Sequence, residues 1–273
     1  MSARAMGTPK SVSDVRLWQL AILPVVWSIA QVLLVVVLPT SALPALFRVG
    51  QECVKVLALS GCLFAAAGFE KGDYLRGAWL FNAICFSFLL VRDCTFLPGL
   101  TEVPNIDLVR PALAALANFF GILSAWRFGR AWSVAELPDT GRNRFRTYVA
   151  MGVLALFIAA GSLVVHVRDA LAGNRAALVF IASGVGDIVS LCMIAPVLPT
   201  AIALRGGALA WPWALMAVGF LGWLGYDCAD ALMSITTVDP VAKRTLLEVC
   251  RTYGCLYVLS SGVAQRRVAS ISG

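Results

Sequence analysis

The residues able to do chemistry in this chain are the ionisable side chains that interrupt its long apolar runs. They are Glu52 and Lys55, Arg92 and Asp93, a solitary Asp187, Asp227 and Asp230, and Glu248 and Arg251. Charge inside an apolar run is costly in a bilayer, so such side chains face the interior of a helix bundle or a cavity and mark functional positions. Glu52 and Lys55, Asp227 and Asp230, and Glu248 and Arg251 are each three apart, which puts each pair on one helix face. Asn118 and Asp187 fall deeper, Asp187 beside Gly184 and Gly186, where a neighbouring backbone can approach closely. Together these residues outline a polar funnel opening outward and ending near mid-membrane. The candidate ligand-binding set is Asp187, Lys55, Glu52, Asp227, Asp230, Arg251 and Asn118, and Asp93 and Asp227 are the candidates for acid–base work.

Two readings compete for these positions. Glu52 with Lys55, and Glu248 with Arg251, can be ion pairs that hold the bundle or residues reaching the outer interface. Asp187 has no charged residue within a turn, so it calls for a partner from another helix, and Lys55 and Arg251 are the cations to expect.

Other chemistries find no residues. His166 is the single histidine, which excludes bis-histidine haem within one chain and leaves no basis for a metal site. The cysteines at 53, 62, 85, 94, 192, 228, 250 and 255 form no C-x-x-C pair and read as small buried hydrophobes, with a disulfide open to the outer ones. No Walker loop, G-x-S-x-G elbow or H-E-x-x-H motif occurs, so neither a cofactor nor a soluble catalytic motif is expected.

The elements that position these residues follow from composition. Of 273 residues, 60% are apolar and 14% charged, against about 25% charged in soluble domains. The fold class expected is an all-α polytopic membrane protein. A helical crossing takes about 20 apolar residues, and eight runs qualify: 17–38, 45–69, 74–97, 108–126, 147–167, 175–204, 211–235 and 245–263. Pro and Gly at 39, 44, 72, 98, 99, 104, 141, 173, 206, 207 and 240 punctuate them. Pro24, Pro196 and Pro199 fall inside runs and predict kinks. Arginines concentrate between the fourth and fifth runs, at 127, 130, 142, 144 and 146, which places both termini in the cytoplasm. The organisation expected is a cytoplasmic segment 1–16, a first half 17–130, a basic loop 131–146, a second half 147–265 and a tail 266–273. The net charge of +7 sits in those inner loops, without the interleaved aromatics of a stacking platform, so the partner is the bilayer and not nucleic acid.

An offset of 134 residues brings Gly72, Leu75, Trp79, Ala83, Phe86, Leu90, Asp93 and Cys94 onto Gly206, Leu209, Trp213, Ala217, Phe220, Leu224, Asp227 and Cys228. From Leu75 to Asp93 the matches step by three or four, so they lie on one helical stripe. The same offset sets Arg110 on Arg244. Two parallel four-helix repeats follow, related by an axis along the membrane normal.

The segment from Gly186 to Arg267 resembles the membrane-embedded sensory regions that precede bacterial histidine kinases and cyclic-dinucleotide enzymes. The resemblance lies in Gly186-Asp187, Arg205-Gly206-Gly207, Trp211-Pro212-Trp213, the helix ending in Asp227 and Asp230, and a last aromatic helix closing in arginines. It implies a bacterial inner-membrane sensory component acting through a separate signalling output protein. The chain also resembles the eight-span lysoplasmalogenase family in Lys55, Phe86-Ser87-Phe88 with Asp93, Asp227, and Tyr257 to Gln265. It departs at Lys55-Val56, where the family has Lys-Pro, and in lacking that family's His and Tyr around Ala117 to Ile122. That likeness implies a lipid hydrolase with Asp93 and Asp227 protonating the vinyl ether and activating water. A small-solute transporter built on the parallel repeat is the remaining alternative. The sensory reading, non-enzymatic, leads.

Overall fold

A computed structural model describes residues 17–97, 99, 103–134, 141–174, 176–194, 197, 210–234 and 237–272. The described residues are helical apart from turns, in eight α-helices: α1 Trp18–Val37, α2 Leu43–Ala66, α3 Tyr74–Cys94, α4 Ile106–Val134, α5 Gly141–Leu171, α6 Ala176–Ile194, α7 Ala210–Ser234 and α8 Pro240–Ser272. A single 3₁₀ turn over Thr40–Ala42 precedes α2. The punctuation read from the sequence sets several of these limits. Gly72 takes φ 98° between α2 and α3, Gly173 takes φ 94° between α5 and α6, and Asp73 caps α3 by accepting from the Leu75 amide at 2.8 Å. The basic loop is shorter than expected, because α4 runs on to Val134 and α5 starts at Gly141. Pro196 and Pro199 lie outside the described residues.

Helices α1 to α4 are long and apolar enough to cross a membrane, and the chain is a helical integral membrane protein on that ground. Their outward surfaces carry large apolar side chains such as Val36, Val37, Leu63 and Phe119, which lipid and not water would tolerate. Helices α7 and α8 carry tryptophans, glycines and charged residues among their apolar ones. Many of those residues, including Trp213, Glu248 and Arg251, are buried.

Helix α8 is the central element: it packs along α7, α2 and α1. Two glycine crossings allow this. A Cβ on Gly262 of α8 would collide with the Gly61 carbonyl of α2, and a Cβ on Gly222 of α7 would stand 2.7 Å from the Gly254 amide nitrogen of α8. Only glycine lets these backbones meet. Helix α3 packs along α4 and α2, while α6 lies on α4 and α5. The core between α2, α3, α4, α7 and α8 is built from Val54, Ala58, Trp79, Phe86, Phe128, Trp213 and Leu256. Phe128 stands edge-on to Trp79 (centroids 5.1 Å apart) and to Trp213 (5.6 Å), the two tryptophans matched by the 134-residue offset.

Side chains also seal helix ends. Arg110 of α4 donates from Nη2 to the Thr95 carbonyl at the end of α3 (2.9 Å), and Arg266 of α8 donates to the Ala67 carbonyl at the end of α2. Both place a cation at a C-terminus, where the helix dipole favours it.

Candidate functional site

Lys55 sits on the face of α2 that also carries Val54 and Ala58, and it points into the protein. Its Nζ pairs with Oδ2 of Asp93, at the end of α3, and the two side chains are 1% and 2% exposed. The other oxygen of Asp93 accepts from Arg92, at 3.1 Å from Nε and 2.9 Å from Nη2. Withdrawing a lysine and an aspartate from solvent costs several kcal/mol per ion, a cost that Asp93 offsets for Lys55 and that Lys55 and Arg92 together offset for Asp93.

A second pair stands on α8. Arg251 donates from Nη1 to Glu248 Oε1 at 2.9 Å and Oε2 at 3.0 Å, and Glu248 is 1% exposed. The same nitrogen reaches Gln51 Oε1 on α2 at 2.6 Å, and Nη2 donates to the Tyr226 hydroxyl of α7 at 2.9 Å. Arg244 adds a partly exposed cation to Glu248 at 2.8 Å. Gln51 and Lys55 are four apart on α2 and so share a face. One strip of α2 therefore meets both pairs, Gln51 touching α8 and Lys55 touching α3.

This arrangement unites some of the residues read from the sequence and separates others. Lys55, Asp93 and Arg251 come together, and the Glu248 to Arg251 pairing at i, i+3 is present. Glu52 is half-buried beside them, but Lys55 turns to Asp93 and not to its own helix. Asp230 is exposed and pairs with Lys243 at 3.4 Å. Asp227 is half-buried on α7 and interacts with its neighbours.

Asn118 belongs to a different contact. On α4 it packs against α6, where a Cβ on Gly186 would be 3.0 Å from its own Cβ. The close approach anticipated at Gly186 thus occurs, but away from Lys55 and Arg251. Asp187 is on α6, and its side chain lies outside those described. The two cations expected to partner it, Lys55 and Arg251, are bonded to Asp93 and Glu248.

Of the expected funnel, Lys55 and Arg251 are bonded to carboxylates of the bundle, and the Asp187 side chain lies outside those described. A void of about 10 Å³ is lined by Trp79, Phe128, Trp213, Met216 and Gln265 among others. That is room for roughly one water. Among the described residues no group of His, Cys, Asp and Glu could hold a metal, and each cysteine described is a free thiol, Cys62 and Cys255 being fully buried.

Gln51, Tyr226 and Arg244 complete the cluster; the sequence singled out Arg244 only as the repeat match of Arg110, and the other two not at all. Gln51 could have been found, since it precedes Lys55 by one helical turn. Tyr226 adjoins Asp227 at a helix end, where an aromatic residue reads as an ordinary interface anchor. Searches for a matching family model, a similar curated protein or a similar solved structure found none.

Proposed function

We propose that the chain is an eight-span membrane signalling component whose buried charge pairs hold one end of the bundle closed until a small or lipidic charged ligand competes for them. The observation that carries this reading is the convergence of Lys55–Asp93 and Glu248–Arg251 on one strip of α2, nearly free of solvent contact. Intramembrane charges kept at such cost are functional by default. From that cluster α8 continues unbroken to Ser272, and its Arg266 caps the opposite end of α2. A displacement at the charged end therefore has a rigid rod to travel along, which suits delivery of a signal to a separate output protein.

Support for eight crossings comes from the lengths of α5 to α8, of 31, 19, 25 and 33 residues. Two parallel repeats draw support from a recurring bond. Ser124 of α4 donates to the Ala78 carbonyl of α3 at 2.9 Å, and Ser261 of α8 donates to the Pro212 carbonyl of α7 at 2.6 Å. The acceptors Ala78 and Pro212 are related by the same 134-residue offset, whereas that offset sets Ser124 on Val258 and Ser261 lies about one turn further along α8. The halves also exchange helices in like manner, α4 packing on α6 and α8 on α2. Cytoplasmic termini and a bacterial inner membrane complete the reading, on the arginine distribution.

The test uses the full chain in proteoliposomes and a pyridyl disulfide, a thiol reagent that is itself activated by protonation and stays reactive in acid where thiolate is scarce, with labelling read residue by residue by mass spectrometry. Cys255, fully buried near Lys55 and Arg251, should gain label when the outer bath is acidified, because protons compete for the carboxylates. Asp93→Asn should label Cys255 at neutral pH while remaining folded. A folded Asp93→Asn as resistant as the parent, with no acid response in either, would remove the gating role. The hydrolase alternative has less support, since both oxygens of Asp93 are bonded. The transporter alternative shares the repeat, and uptake of a labelled solute into the same vesicles separates it from signalling.

A further inference from the structure

Arg127, near the end of α4, lies in a groove on α3 made by Tyr74, Gly77 and Phe81. Its guanidinium is 5.3 Å from the Tyr74 ring centroid and 5.0 Å from that of Phe81. Gly77 is the floor, since a Cβ there would collide with Nη1. Positions 74, 77 and 81 follow one helical stripe, so the groove is a property of α3 and the guanidinium is held flat over it.

The arginines of the helix ends are otherwise mostly satisfied: Arg110 and Arg266 bind carbonyls, and Arg92, Arg244 and Arg251 bind carboxylates. Arg127 has ring contacts and no hydrogen bond or ion pair with any described residue. The Tyr74 hydroxyl, in the same groove, is buried and likewise without a partner. A fork of N–H donors beside an idle hydroxyl is suited to phosphate oxygens, which accept bidentate bonds from arginine.

The level of the groove is set by its neighbours. Trp126 is 43% exposed and carries the Arg130 guanidinium 5.1 Å from its ring centroid, the pairing expected at lipid headgroups. The start of α3 adds the positive end of a helix dipole, and Lys71 and Arg76 add charge. Asp73 opposes an anion, but it is exposed and its Oδ1 is bonded to the Leu75 amide.

We propose that Arg127 and the Tyr74 hydroxyl form a binding site for a phosphate group, presented by an anionic lipid of the adjoining leaflet. The site does not depend on the charge cluster or on the signalling role. It is tested with the full chain in neutral detergent by native mass spectrometry, with phosphatidylglycerol, phosphatidylcholine or inorganic phosphate added in separate arms. Phosphatidylglycerol should be retained in preference to phosphatidylcholine, and Arg127→Gln should lower its retention about tenfold, as loss of charge-assisted bonds implies. Tyr74→Phe should lower it severalfold, whereas Arg267→Gln, an exposed arginine of α8, should not. Displacement of the lipid by millimolar inorganic phosphate would assign the site to phosphate in general, and resistance would assign it to the lipid. Equal losses in Arg127→Gln and Arg267→Gln would show a general surface-charge effect and overturn the site. Should Arg127→Gln fail to fold, unchanged retention in Tyr74→Phe would overturn it as well.

Discussion

Lys55 on α2 and Asp93 on α3 form an ion pair that is almost wholly withdrawn from the protein surface, with Arg92 bonded to the remaining oxygen of the same carboxylate. Asp93→Asn leaves Lys55 a buried charge without that partner and should lower stability by about 3–5 kcal/mol, read as the unfolding midpoint in detergent. Lys55→Met leaves Asp93 still bonded to Arg92 and should cost less. Glu52→Gln, at a half-buried position outside the pair, should have a small effect.

The crossing of α8 with α2 predicts a sharper contrast. Gly262→Val must drive its side chain into the Gly61 carbonyl, whereas nothing lies within 4 Å of a Cβ at Gly50 of α2. Gly262→Val should cost at least the ~1–3 kcal/mol of an overpacked core and lower the yield of folded protein. Gly50→Ala should be neutral or slightly stabilising.

Two interhelical hydroxyl bonds, whose acceptors but not donors match under the 134-residue offset, test the packing within each half. Ser124→Ala and Ser261→Ala each remove one interhelical bond to a carbonyl, and each should cost roughly 0.6–1.7 kcal/mol, the range for such bonds inside membranes. No loss from either would show that these bonds do not hold the helix pairs together.

Topology is testable without a ligand. Reporter fusions at Gly273 and within 135–142 should read cytoplasmic, and one within 101–106 should read outside. An outside reading at Gly273 would reject an even number of spans.

Helix positions were legible because the bilayer imposes a length and because Gly72, Asp73 and Gly173 stop or start helices by local backbone chemistry. The Glu248–Arg251 contact was legible for the same reason, being local to one helix. Lys55–Asp93 was not, because a long lysine chain can turn to its own helix or to a neighbour, and helix rotation decides which. Reading Glu52 and Lys55 as a pair followed sequence spacing, but the strip of α2 that faces inward carries Gln51 and Lys55. Depth alone likewise grouped Asn118 with Lys55, although α4 turns Asn118 towards Gly186 of α6.

The central claim is that the Lys55–Asp93 pair gates the bundle as well as holding it together, and replacing both partners separates those roles. Apolar residues in place of a buried pair are often neutral or stabilising, so Lys55→Met with Asp93→Leu should recover most of the stability lost by either single change. The decisive measurement is acid-induced labelling of Cys255 in that double variant, reconstituted beside the parent. The account predicts a protein as stable as the parent in which Cys255 stays protected at every pH where the parent opens. A stable double variant that opens on acidification like the parent would contradict it.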